Sequence, residues 1–90
     1  MSNLNEVFFL LNNEMKEQCK LFDNLPIKAL QKLRLIQKGD DKFIYNTDNN
    51  THRVRVCCNN LNINFGNFKT REEARKYRNA IIDYIYFVNL

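Results

Sequence analysis

The stretch RVRVCCNNLNINFGNFKTREEA, residues 53–74, changes its hydrophobic period part-way along, and that change decides the fold. From Arg53 to Cys58 the pattern alternates. Val54, Val56 and Cys58 share one face and Arg53, Arg55 and Cys57 the other, as successive side chains on a strand must. Leu61 to Phe65 alternates again, with Leu61, Ile63 and Phe65 opposite Asn62 and Asn64. Asn59-Asn60 between them suits a two-residue hairpin turn. Thr70 and Glu73 then form a capping box, each side chain placed for the other's backbone amide at a helix start. Ala74, Tyr77, Ile81, Tyr84, Ile85 and Val88 follow at helical spacing. That stripe is expected to cover the Val54, Val56, Ile63 and Phe65 face, at about 1.5–3 kcal/mol for each fully buried aliphatic or Phe side chain.

Working outward, Phe43 to Thr47 reads as a first strand and Asp48-Asn49-Asn50 as its turn, since Asn and Asp tolerate positive φ. Upstream, Leu4, Phe8, Leu11, Met15, Cys19 and Phe22 form a stripe that predicts a helix from about Asn3 to Phe22, with Asn3 and Glu6 as a capping pair. Asp23 and Asn24 suit the start of a second helix and Pro26 its first turn. Ala29, Leu30, Leu33 and Ile36 form its stripe, and Lys38-Gly39 its stop. The expected fold class is α+β. An N-terminal helical hairpin (1–38) precedes a three-stranded antiparallel sheet packed on one C-terminal helix (42–90), the two forming one compact unit. Ile82, Tyr86 and Phe87 fall off the last stripe and need a second partner, for which the hairpin is the nearest candidate.

Ninety residues, 44% apolar and 27% charged, match an ordinary globular domain. With no basic leader and no run of about 18 uncharged apolar residues, the sequence places the protein in the cytoplasm of whatever cell makes it. Cys19, Cys57 and Cys58 are odd in number and two are adjacent, so they read as reduced thiols. The single histidine, His52, has only Cys57 and Cys58 nearby, too few ligands for a metal. No cofactor is implied.

The net charge of +4 is uneven. Arg53, Arg55, Lys69, Arg71, Arg75, Lys76 and Arg78 face only Glu72 and Glu73 in the same segment, an excess that suits a phosphate backbone or an acidic protein. If the helix covers one side of the sheet, the other presents Arg53, Arg55, Cys57, Asn62 and Asn64, with an edge contribution expected from the first strand. Arginine can donate two hydrogen bonds to guanine O6 and N7, asparagine can pair with adenine N6 and N7, and a β-ribbon fits the major groove. Lys69 and Arg71 complete the expected nucleic-acid-binding set of Arg53, Arg55, Asn62, Asn64, Lys69 and Arg71.

The run from Phe65 through Ala74, continuing to Tyr77-Arg78-Asn79-Ala80, resembles the plant ethylene-response-factor DNA-binding domain, in the versions carried by phage integrases and HNH homing endonucleases. In that family a glycine, a phenylalanine two residues later and a helix opening with threonine and an acidic pair before alanine follow a three-stranded sheet. Gly66 would turn the chain sharply off the third strand, Phe68 would plug the base of the helix, and Ala74 would allow close packing. The resemblance covers about residues 42–85. It implies a non-enzymatic DNA-binding protein from a phage or mobile element that places the outer sheet face in the major groove. His52 stands where relatives usually have tryptophan, and the first strand lacks their arginine-glycine element.

Two other readings compete. A helix, three strands and a helix from Pro26 onward also resemble a double-stranded RNA-binding domain, with Arg71 and Arg75 at two of its basic positions. The second is a small phage-encoded, anti-CRISPR-like inhibitor of a host nucleic-acid enzyme, its protein partner docking on Phe9 or on the Ile82, Tyr86 and Phe87 surface. An enzyme is not expected. The acids fall at caps and turns, and Cys57 and His52, five apart on a strand, should point to opposite faces.

Overall fold

A computed structural model describes residues 9–36 and 40–89. The elements run α1 (Asn13–Lys20), α2 (Ile27–Ile36), β1 (Ile44–Asn46), β2 (His52–Cys58), β3 (Leu61–Phe68) and α3 (Arg71–Val88). The strands form one antiparallel sheet in the order β1-β2-β3. This is the α+β class expected, and α3 is its axis. It packs against all three strands and against both N-terminal helices, so residues on its stripe (Ala74, Ile81, Ile85) and off it (Ile82) are alike buried.

Local chemistry accounts for the boundaries. Asn59 and Asn60 both take positive φ, 52° and 67°, the conformation a tight hairpin between right-twisted strands requires. Thr70 Oγ1 accepts from the Glu73 amide at 3.1 Å and starts α3. Phe68 stacks on Tyr77 at 4.5 Å between ring centroids, closing the base of that helix.

Several boundaries differ from the sequence expectation. The first helix is interrupted. Phe9 and Leu10 are helical, the chain bends at Leu11, and Asn12 caps a new helix by accepting the Met15 amide at 2.8 Å. The expected cap at Asn3 and Glu6 lies outside the described residues, as do Leu4 and Phe8. Leu11, Cys19 and Phe22 are buried nonetheless, so the stripe survives the break. Asn24 takes a φ of 55° in the turn after α1, and it is the Pro26 carbonyl that accepts the first α2 bond, from Leu30.

The third strand does not end at Gly66. It runs to Phe68 through a bulge: Val54 pairs with Gly66 and Arg55 with Asn64, leaving Phe65 as the extra residue. The bulge switches the alternation, which is why Phe65 and Phe68, an odd number apart, are both buried. Gly66 has a φ of +125° with open space where a Cβ would stand, so backbone conformation is what demands glycine there.

Asn89 joins the two ends of the chain. Its Nδ2 donates to the carbonyls of Phe22 and Ile85, both at 2.8 Å, and its Oδ1 accepts from the Leu25 amide at 2.8 Å. Cys19, fully enclosed, lies under the same helix with its thiol 3.9 Å from the Ile81 carbonyl. Burial pushes that thiol from its ordinary value of 9.0 up to about 12. In the unfolded chain the thiol ionises near 9, whereas in the fold it stays protonated. Its contribution to stability is therefore intact below pH 9 and falls as the pH climbs toward 12. Urea midpoints at pH 8 and 10.5 should show a drop that Cys19→Ala reduces. An equal drop in the variant would assign the pH dependence elsewhere.

Candidate nucleic-acid interface

Val54 and Val56 are fully buried toward α3, which turns Arg53, Arg55 and Cys57 to the opposite side of the sheet. Register then builds the outer face in rows. Tyr45, Arg53 and Asn67 lie across the three strands in one row, Arg55 and Asn64 form the next, and Cys57 and Asn62 the last. Rows on one face are spaced by two residues, about 6.5–7 Å. The structure thus brings Arg53, Arg55, Asn62 and Asn64 together. It adds Tyr45, which supplies the edge contribution expected of the first strand, and Asn67, which sequence reasoning missed. A signal was present in two buried-type phenylalanines, Phe65 and Phe68, flanking a glycine at a spacing that an unbroken strand cannot bury on one side.

The hydrogen bonds on this face have a direction. Arg53 Nε donates to Asn67 Oδ1 at 3.2 Å, and the Gly66 amide donates to Asn64 Oδ1 at 2.9 Å. Both donors are obligate, so the amide orientations of Asn64 and Asn67 follow from chemistry. Each oxygen accepts one hydrogen bond inside the protein, and each NH2 is a further donor on these residues. The Arg55 guanidinium lies over the Tyr45 ring at 5.1 Å, with its Nε buried and lacking a partner among the described residues. Arg53, Arg55, Asn64 and Asn67 together present donors. Such a face suits acceptors such as guanine O6 and N7 or phosphate oxygens. The expected adenine pairing by Asn64 would have to use the second lone pair of its Oδ1, since the Gly66 amide takes the first.

The basic helix side is different from its sequence count. Arg78 is fully buried and belongs to no surface patch. Its Nη1 donates to Asp40 Oδ1 (2.8 Å), to the Asp40 carbonyl (2.7 Å) and to the Lys42 carbonyl (3.0 Å). Its Nε and Nη2 meet Asn79 Oδ1 at 3.1 and 2.9 Å. Arg75 and Arg71 both face Asp41, at 2.7 and 3.5 Å. These guanidiniums, the Arg75 hydrogen bond first, hold the Asp41 carboxyl below its ordinary range. Lys69 is exposed and makes no ion pair among the described residues.

No family model, no curated protein and no solved structure matches the chain.

His52 pairs with Phe68 on the inner side of the sheet and Cys57 lies on the outer, so the two do not meet. No group of three or more His, Cys, Asp or Glu able to hold a metal occurs among the described residues, and no helix there is long and apolar enough to cross a membrane. Of the expected protein-docking residues, Ile82 is 1% exposed and cannot form a surface, because the N-terminal helices pack on α3. Tyr86 lies under the Arg34 guanidinium at 5.3 Å. Phe87, 39% exposed, and Phe9, 91% exposed, remain accessible.

Proposed function

We propose that the protein is a non-enzymatic duplex-DNA-binding module, acting in the cytoplasm, that sets the outer face of its sheet in the major groove. One observation carries this reading: three aligned rows gather Tyr45, Arg53, Arg55, Asn62, Asn64 and Asn67 on the face away from the helix, with Arg53 and Asn64 each hydrogen-bonded to a neighbour. Arg53 and Arg55 take the base edges, and Lys69 adds a salt-sensitive interaction with the backbone. The ethylene-response-factor resemblance supports the same use of the sheet and a phage or mobile-element origin. The double-stranded RNA alternative rests on two matching arginines, Arg71 and Arg75, and draws no support from the outer sheet face.

A second reading is favoured by the exposed apolar residues of the N-terminal region, Phe9 at 91%, Ile27 at 73% and Leu35 at 63%. It makes the protein an inhibitor that docks on a host nucleic-acid enzyme.

Fluorescence anisotropy with labelled duplex DNA, duplex RNA and single-stranded DNA at two salt concentrations separates the two. Salt-dependent binding with a preference for duplex DNA is expected. Absence of binding to all three at low salt would reject the DNA reading in favour of the protein-directed one.

A further inference from the structure

We infer that Arg71 and Arg75 form a binding site for one nucleic-acid phosphate, and that Asp41 occupies it as an internal placeholder in the free protein. The inference rests on the DNA-binding reading above and adds a phosphate site and its control.

Arg71 and Arg75 stand one turn apart on the same side of α3, a spacing at which helical side chains meet. Between them sits a single planar anion. Both Arg75 donors converge on Asp41 Oδ1, Nε at 2.8 Å and Nη2 at 2.7 Å, while Arg71 Nη1 lies 3.5 Å from Oδ2. Two guanidinium forks around one oxyanion are the arrangement by which arginines hold phosphate. The cluster is open to solvent: the side chains of Arg71, Arg75 and Asp41 are 50%, 35% and 43% exposed. An exposed ion pair is weakened by salt and by competing anions.

Asp41 is also not what fixes its own loop. Arg78, fully buried, bonds the loop on either side of it, at Asp40 and at the Lys42 carbonyl. The carboxylate can leave the two arginines while the chain stays anchored. Lys69, exposed, lies two residues before Arg71 and two after Asn67 along the chain. Glu72 and Glu73, exposed in the same helical turn, oppose an incoming phosphate and limit how tightly it is held.

Binding of labelled duplex DNA is compared across a salt series for the wild type, Asp41→Asn, the triple variant Asp41→Asn with Arg71→Gln and Arg75→Gln, and Asp23→Asn. Asp23→Asn makes the same charge change in the turn after α1. Asp41→Asn should bind roughly three- to tenfold tighter at low salt, with the slope of log K against log salt steeper by about one, near 0.9 for the one further phosphate neutralised. The triple variant should lose that gain. An unchanged affinity and slope, or an equal gain from Asp23→Asn, would overturn the inference. If Asp41→Asn does not fold, the wild type decides: the Arg75 Nε–H resonance should shift when DNA is added, and an unmoved resonance counts against the site. Wild-type binding without an Asp41 effect overturns this inference and leaves the DNA reading standing. Loss of binding by wild type and Asp41→Asn alike sinks the DNA reading with it.

Discussion

Replacing Arg53 and Arg55 together with alanine is expected to weaken duplex-DNA binding on the order of a hundredfold or more, because each arginine paired to a base edge contributes about 1–3 kcal/mol of discrimination. The fold should persist. Both side chains sit on the outer face, where Arg53 makes one hydrogen bond to Asn67 and Arg55 stacks on the Tyr45 ring, while the core beneath is formed by Val54, Val56 and Phe65. Losing those two surface interactions lowers the melting temperature by roughly 4–16 °C, at about 0.5–1 kcal/mol each. Asn67→Ala tests positioning separately. It removes no outward arginine donor but releases the Arg53 guanidinium from its orientation, so it should cost less affinity than Arg53→Ala and flatten the preference among duplex sequences. Lys69→Gln, by contrast, should weaken all sequences alike and reduce the salt slope by about one. Anisotropy titrations with circular dichroism as the control check the set. A folded double variant with unchanged affinity removes the sheet face as the binding surface.

The parts of this molecule that repeat along the chain were legible in its sequence, and the parts that depend on distant pairings were not. Alternation at 53–58 and 61–65, the Asn59-Asn60 turn and the Thr70 cap each lie within a few residues, and they give β2, most of β3 and the start of α3. The outer face follows from the same alternation, which is why five of its residues, Arg53, Arg55, Cys57, Asn62 and Asn64, were readable from sequence. Asn67 was not, because a bulge resets the alternation and only Gly66 marks it. The charge count failed for a different reason. Arg75 and Arg78 look like a basic patch beside Arg71, yet their partners Asp41 and Asp40 lie 34 and 38 positions upstream. A local tally cannot see partners at that separation. Asn89, which bonds Phe22 and Leu25 across more than 60 positions, was invisible on the same grounds.

Arg78→Ala should be the most destabilising of the substitutions considered, at about 3–5 kcal/mol, the range for emptying a large core side chain. For a domain of this size that lowers the melting temperature by roughly 12 °C or more. The residue is fully enclosed, and one guanidinium satisfies Asp40 and the Lys42 carbonyl on one side and Asn79 on the other. Arg78→Lys should not restore the protein, since a single ammonium cannot span both sides. Arg78→Met separates packing from bonding. It fills much of the space without a buried charge, so its stability loss should be smaller than that of alanine. All three should release the same segment. Phe43 follows the clamped Lys42 and holds a φ of 68°, costly for a bulky residue and sustained only while its surroundings impose it. Its carbonyl accepts the Arg55 amide at 3.0 Å, and β1 begins at the next residue. Without the clamp, amide exchange should quicken at Ile44 and Tyr45 in every variant, whatever its melting temperature. Tyr45 would then leave Arg55, and DNA affinity should fall although no side chain of the outer face was changed. An Arg78→Ala protein that melts within about 3 °C of wild type, with β1 still protected, would mean that the sheet organises this edge without help from α3.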